Sequence, residues 1–137
     1  MGKRVRDVMT ENPRTVDVGS TVVEAARVMK EEDVGSVPVL DSERLIGTLT
    51  DRDIVIRVVA EGRELQTTVR DVASSDLVTI DPDQNLDEAL RMMATHQVRR
   101  LPVVEEDGHL VGILAQADAA REASEKKVGE TVEAISS

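Results

Sequence analysis

The sequence predicts a mixed α/β (α+β) fold of two pseudo-symmetric β-α-β-β-α repeats, packed through their sheets into one module that shares a core. Three observations carry this prediction. The chain repeats itself: Val5-Arg6-Asp7-Val8 returns as Val69-Arg70-Asp71-Val72, a shift of 64 residues (69 − 5). The same shift relates Thr15-Val16-Asp17 to Thr79-Ile80-Asp81, and Val34-x-x-x-Pro38-Val39 to Val98-x-x-x-Pro102-Val103. Within each copy the apolar period changes from two to 3.6 and back, which marks strand, helix and strand. Hydrophobic residues are 40% of 137, enough for a folded core. A unit of about sixty residues buries too little surface to stand comfortably alone, so two copies must pack together.

The elements follow in order. Val5–Met9 and Val69–Ala73 read as short helical lead-ins. Thr15 to Val18 alternates and reads as a strand. Thr21 precedes Glu24, and Asn85 precedes Glu88, at the three-residue spacing of a capping box. The helices that follow bury Val22, Ala25, Ala26 and Met29 in the first copy and Leu86, Ala89, Leu90 and Met93 in the second. Ser36 to Leu40 is a strand whose Pro38, lacking a ladder donor, suggests an edge or a start. Leu45 to Leu49 completes a hairpin. There the shift becomes 65, because Asp41-Ser42-Glu43-Arg44 faces the longer Glu105-Glu106-Asp107-Gly108-His109, as a change of hairpin loop would require. Asp51 to Ala60 reads as a helix with Ile54, Val55, Val58 and Val59 inward. Residues 61–66 form the connector, which divides the chain into repeat one with its lead-in helix (1–64), repeat two (65–125) and an amphipathic tail helix (126–137) carrying Val128, Val132 and Ile135.

Composition excludes several classes. The chain has no Cys, hence no disulfide framework, thiolate metal site or cysteine nucleophile. It has no Phe, Tyr or Trp to stack on bases, and 27 acidic against 17 basic residues give a net charge of −10. Nucleic acid is therefore not an expected partner. His96 and His109 fall in different elements without Cys support, so no metal site is expected. No signal peptide, myristoylation signal or apolar run of membrane-spanning length is visible, so a cytoplasmic protein without membrane association is the expectation. No spacing places a nucleophile beside a base or an acid beside a base, so the chain does not read as an enzyme.

This duplicated layout resembles a tandem pair of CBS domains, a Bateman module, over about Val5 to Ala123. Gly47-Thr48-Leu49-Thr50-Asp51-Arg52-Asp53 matches the family's Gly-x-x-Thr/Ser-x-x-Asp, and His96-Gln97-Val98-Arg99-Arg100-Leu101-Pro102-Val103 is similar to its second-strand segment. The resemblance implies a ligand site joining the Thr/Ser-x-x-Asp turn of one repeat to the first and second strands of the other. One site then comprises Thr48, Thr50, Asp53, Leu77, Val78, Val98, Arg99 and Arg100. Its sister comprises Arg14, Val34, Gly35, Ser36, Ile113, Ala115 and Asp118. The implied ligand contains adenosine: AMP, ADP, ATP (with Mg²⁺ possible) or S-adenosylmethionine, with no cofactor required. The implied assembly is a homodimer that signals to a separate regulated protein.

The residues themselves allow two readings of Thr50-x-x-Asp53. Thr50 can cap the following helix, with Asp53 favouring its positive end, for about 1 kcal/mol. Alternatively the Thr50 hydroxyl and the helix N-terminus meet phosphate while Asp53 accepts from ribose hydroxyls. Both can hold in the same turn. Arg99 and Arg100 suit an anion through paired, charge-assisted hydrogen bonds. Ala115 has no hydroxyl, so the sister site should be the weaker one. Without aromatic rings, an adenine must lie between aliphatic walls, with Leu77, Val78 and Val98 the candidates. The expected function is thus a regulatory adenosine-nucleotide sensor; the alternative is a structural or interaction protein with vestigial clefts.

Overall fold

The computed structural model describes residues 2–124. In chain order its elements are α1 (Val5–Val8), β1 (Thr10–Glu11), β2 (Val16–Asp17), α2 (Val22–Glu32), β3 (Ser36–Asp41), β4 (Arg44–Thr50), α3 (Asp51–Ile54) running into a π-helical turn (Val55–Val59), α4 (Val69–Val72), α5 (Leu86–His96), β5 (Arg100–Val104) and β6 (Leu110–Ala115). Helical backbone follows at 116–124. The strands form two three-stranded sheets, ordered β2-β3-β4 and β1-β6-β5. The tail helix expected over 126–137 lies outside the described residues.

The chain divides into two compact units, and they do not follow the division at 64/65. One is Arg14–Leu77; the other joins the residues up to Pro13 with those from Val78 onward. Each lead-in packs against the body of the other repeat. In the first unit Val69 and Val72 are fully buried with Val16, Val22, Val39 and Leu49. Val69 N–H donates to the Ser20 carbonyl at 2.8 Å and Arg70 N–H to that of Val18 at 3.1 Å. In the second unit Val5 is buried with Ile80, Met93, Leu101 and Leu114, and its N–H donates to the Gln84 carbonyl at 2.9 Å. The buried residues form two clusters, one within each unit. The lead-ins supply the missing cover by burying apolar area that each half-sheet leaves open.

Two glycines permit this close packing. A Cβ at Gly47 would lie 2.5 Å from the Ser74 carbonyl oxygen, and one at Gly112 would lie 2.6 Å from Met9 Sδ and 2.9 Å from the Thr10 carbonyl oxygen. Ser74 N–H and C=O both pair with Thr48 at 2.9 Å, and Thr10 pairs with Ile113. The lead-in chain thus lies along the outer edge of each hairpin, where only glycine leaves room.

Within each unit the helices and hairpins stand largely where the sequence places them. Thr21 and Asn85 cap α2 and α5, accepting from Glu24 N–H at 3.2 Å and Glu88 N–H at 2.8 Å. Three expectations change. On α2 it is Val28, not Ala26, that is buried with Val22, Ala25 and Met29. Pro38 sits in the middle strand of its sheet; β2 pairs only with Val39 and Leu40, so the partner strand stops short of the proline. In the last helix of repeat one only Val58 is fully buried, while Val55 and Val59 are 57% and 64% exposed. Ala60 N–H donates to the Val55 carbonyl and Arg63 N–H to that of Val58, an i→i+5 pattern. The wider turn moves these valines off the inward stripe that a 3.6-residue period would give.

Candidate functional site

In the first unit the sequence-assigned residues gather where β4 turns into α3. Thr50 is extended (φ −106°, ψ 161°) and caps the helix. Its Oγ1 accepts from Asp53 N–H at 3.0 Å, and Asp53 Oδ2 accepts from Thr50 N–H at 3.0 Å. This reciprocal box confirms the capping reading and fixes the Asp53 carboxylate while leaving Oδ1 with acceptor capacity. Both residues are half-buried. Asp51 N–H, at the start of α3, donates to the Gly35 carbonyl at 2.9 Å, and Ser36 pairs with Thr50 across the hairpin. Val34, Gly35 and Ser36, assigned from sequence to the sister site, are therefore neighbours of Thr50 and Asp53. They are brought there by the left-handed Asp33 (φ 54°) that ends α2. Thr48 and Leu77 are half-buried on the same unit.

The second unit repeats this arrangement with different chemistry. Gln97 (φ 54°) ends α5 and turns the chain into Val98, Arg99 and Arg100. Arg100 pairs with Ala115, and Gln116 N–H donates to the Arg99 carbonyl at 2.8 Å. Val78 and Val98 are half-buried against the core of this unit. Ala115 offers no cap, and no box forms. Asp118 instead accepts from Arg121 Nη2 at 2.8 Å. Ile113 and Ala115 are half-buried beside it.

The arginines differ in the same sense. Arg99 and Arg100 are exposed, and among the described residues neither guanidinium has an ion-pair partner. Arg14, the cation assigned to the sister site, is engaged by Glu31 and Glu32. Its hydrogen bond and charge hold the Glu31 carboxyl below the usual glutamate range, and Glu31 in turn raises Arg14. In a chain of net charge −10, two unpaired adjacent arginines are the groups best suited to an anion.

Sequence reasoning missed two neighbours of the site. Arg57 lies one turn beyond Asp53, with Nε 3.9 Å from Asp53 Oδ1 and Nη1 donating to the Val72 carbonyl at 3.1 Å. Ser74 pairs with Thr48 from the lead-in. The signal available for Ser74 was the pair of equivalent glycines, Gly47 and Gly112, each on the outer hairpin strand. For Arg57 the signal was its i,i+4 spacing from Asp53; its bond to the Val72 carbonyl had none. Among the described residues no group of three or more His, Asp or Glu side chains is placed to hold a metal ion, and no helix is long and apolar enough to cross a membrane.

Known proteins resemble this chain in sequence and fold. The family profile described as CBS domain matches residues 5–60 and again 69–125. The chain is 44% identical over 133 residues to the CBS domain-containing protein YhcV of Bacillus subtilis, covering 96% of this chain and 94% of that one. It is 40% identical over 134 residues to hypoxic response protein 1 of Mycobacterium tuberculosis, covering 96% and 93%. A crystal structure of hypoxic response protein I with two coordinated zinc ions superposes with a TM-score of 0.78 over 87% of this chain and 98% of that one. The crystal structure of CBSX2 in complex with AMP superposes with a TM-score of 0.79 at 29% identity, covering 92% and 99%. CBSX2 is from Arabidopsis thaliana.

Proposed function

The chain belongs to the CBS-domain family, and we propose that it is a non-enzymatic regulatory module that senses an adenosine nucleotide and passes its state to a separate protein. The observation that carries this reading is the half-buried Thr50–Asp53 box, together with Arg99 and Arg100, whose guanidinium groups have no ion-pair partner among the described residues. Asp53 Oδ1, with Arg57 Nε 3.9 Å away, keeps lone pairs to accept from ribose hydroxyls, and the two guanidinium groups offer charge-assisted donors to phosphate. The complex of CBSX2 with AMP supports the ligand class. In this reading Thr48, Leu77, Val78 and Val98 complete the better site, with the adenine between aliphatic side chains. ADP, ATP with Mg²⁺ and S-adenosylmethionine are the competing ligands.

The sister residues Arg14, Val34, Gly35, Ser36, Ile113, Ala115 and Asp118 form the weaker site. Its arginine and its carboxylate both already have partners within the chain, and freeing them opposes binding. That observation favours, for this site alone, the second reading of a vestigial cleft. A homodimer is the proposed assembly, because Val55, Ile56 and Val59 put three large apolar side chains on one exposed turn.

Thermal denaturation against a panel of AMP, ADP, ATP with and without Mg²⁺, and S-adenosylmethionine tests the function. A ligand at 100 times its dissociation constant stabilises by about 2.7 kcal/mol, so at least one member should raise the midpoint by several degrees. A flat response at millimolar ligand would leave the interaction-protein reading in its place.

A further inference from the structure

We propose that Arg57 is a positioning residue for the Asp53 carboxylate and thereby sets the grip on the ligand's ribose; this rests on the reading of Asp53 as a ligand contact. Asp53 Oδ2 is held by the Thr50 N–H at 3.0 Å. The remaining oxygen, Oδ1, faces Arg57 Nε at 3.9 Å. From the same guanidinium Nη1 donates to the Val72 carbonyl at 3.1 Å, at the C-terminal end of α4. The planar fork therefore reaches the carboxylate with one edge and a fixed backbone atom with the other. A lysine, with one compact ammonium group, cannot match both directions at once.

The distance matters as much as the contact. At 3.9 Å the charge orients the carboxylate without consuming a lone pair in a direct hydrogen bond. Oδ1 stays available to a ligand hydroxyl, in a side chain only 17% exposed. Repeat two lacks this device. The position equivalent to Arg57 at the shift of 65 (122 − 57) is Glu122, which pairs with Lys3 at 3.0 Å. Asp118 is instead covered by Arg121 at 2.8 Å. One repeat aims its carboxylate, whereas the other ties it up.

Arg57 also connects the site to the lead-in. The segment it holds through Val72 continues to Ser74, which pairs with Thr48 on both its N–H and its C=O. One side chain thus couples Asp53 with the chain segment that borders Thr48.

Calorimetric titration of AMP and of 2′,3′-dideoxy-AMP into wild type, Arg57→Gln, Arg57→Lys, Asp53→Ala and the Asp53→Ala/Arg57→Gln double variant tests this role. The dideoxy probe keeps adenine and phosphate and lacks the ribose hydroxyls. Arg57→Gln should weaken AMP about fivefold, the upper end for a part-exposed ion pair, and leave dideoxy-AMP unchanged. It should add nothing in the Asp53→Ala background, and Arg57→Lys should restore only part of the loss. Equal losses for both probes, additivity with Asp53→Ala, or wild-type AMP affinity in Arg57→Gln when Asp53→Ala is weakened would each overturn the role of Arg57 alone. Unchanged AMP binding in Asp53→Ala, or no AMP binding by wild type, would overturn the site reading and this role with it.

Discussion

Thr50 and Ala115 occupy equivalent positions in two copies of one turn, and they differ by a hydroxyl and a methyl group that only Thr50 carries. In repeat one the hydroxyl accepts from Asp53 N–H, and the carboxylate folds back to accept from Thr50 N–H. In repeat two that box cannot form, and Asp118 turns to Arg121. The flanking cations follow suit: among the described residues Arg99 and Arg100 have no ion-pair partner, whereas Arg14 is engaged by Glu31 and Glu32. The lesson is that a duplicated fold keeps its backbone geometry while single side chains decide whether a carboxylate is presented or occupied. The backbone bonds Asp51 N–H to Gly35 and Gln116 N–H to Arg99 are the same in both copies.

The comparison can be broken first at the lead-ins. Gly47→Ala sets a Cβ 2.5 Å from a backbone carbonyl, whereas at Gly112 the nearest atom is the flexible Met9 Sδ. Overpacking of this kind costs about 1–3 kcal/mol, and Gly47→Ala should lie at the upper end and Gly112→Ala below it in urea denaturation. Equal costs would mean that the two lead-ins are held with equal rigidity. The caps come next. Thr50→Ala should lose about 1 kcal/mol and make the first turn like the second. Ala115→Thr should recover up to the same amount and draw Asp118 away from Arg121, which a crystal structure of the variant would show.

The smallest effect separates the arginines. Arg14 favours the ionised form of Glu31 in the folded state and so lowers the pH at which its carboxyl titrates. For a carboxyl depressed in this way, the favourable contribution is present above the ordinary glutamate range and is lost as pH falls through the lowered folded value. The pair is solvent-exposed, so its effect on stability should be slight. Carboxyl-detected NMR should find the Glu31 midpoint below the ordinary range in wild type and back within it in Arg14→Ala. An unmoved midpoint would release Arg14 from its glutamates and weaken the case for unequal sites.

Much of this was legible in the sequence because it is local. The hairpins, the caps of α2 and α5, and the Thr50–Asp53 spacing all depend on residues a few positions apart, and the duplication shows as the same local patterns recurring at a fixed shift. The exchange of lead-ins was not legible. Val5-Arg6-Asp7-Val8 and Val69-Arg70-Asp71-Val72 are the same tetrapeptide, so either copy suits either repeat, and only the three-dimensional route of the chain selects the partner. The π-helical turn was hidden for a related reason. Val55, Ile56, Val58 and Val59 are apolar under any winding, so periodicity cannot tell a wider turn from an α-helix. The spacing of Arg57 from Asp53 was local, but its bond to the Val72 carbonyl, 15 residues on, forms only when α4 docks.

The central claim is that repeat one's turn binds an adenosine nucleotide more tightly than repeat two's. Calorimetric titration of AMP into wild type, Asp53→Ala and Asp118→Ala tests it most directly. Loss of hydrogen bonds to a charged group costs roughly 1.5–3 kcal/mol. Asp53→Ala should therefore weaken the tighter binding event by tenfold or more, while Asp118→Ala leaves that event unchanged. Equal effects of the two substitutions, or a larger effect of Asp118→Ala, would contradict it.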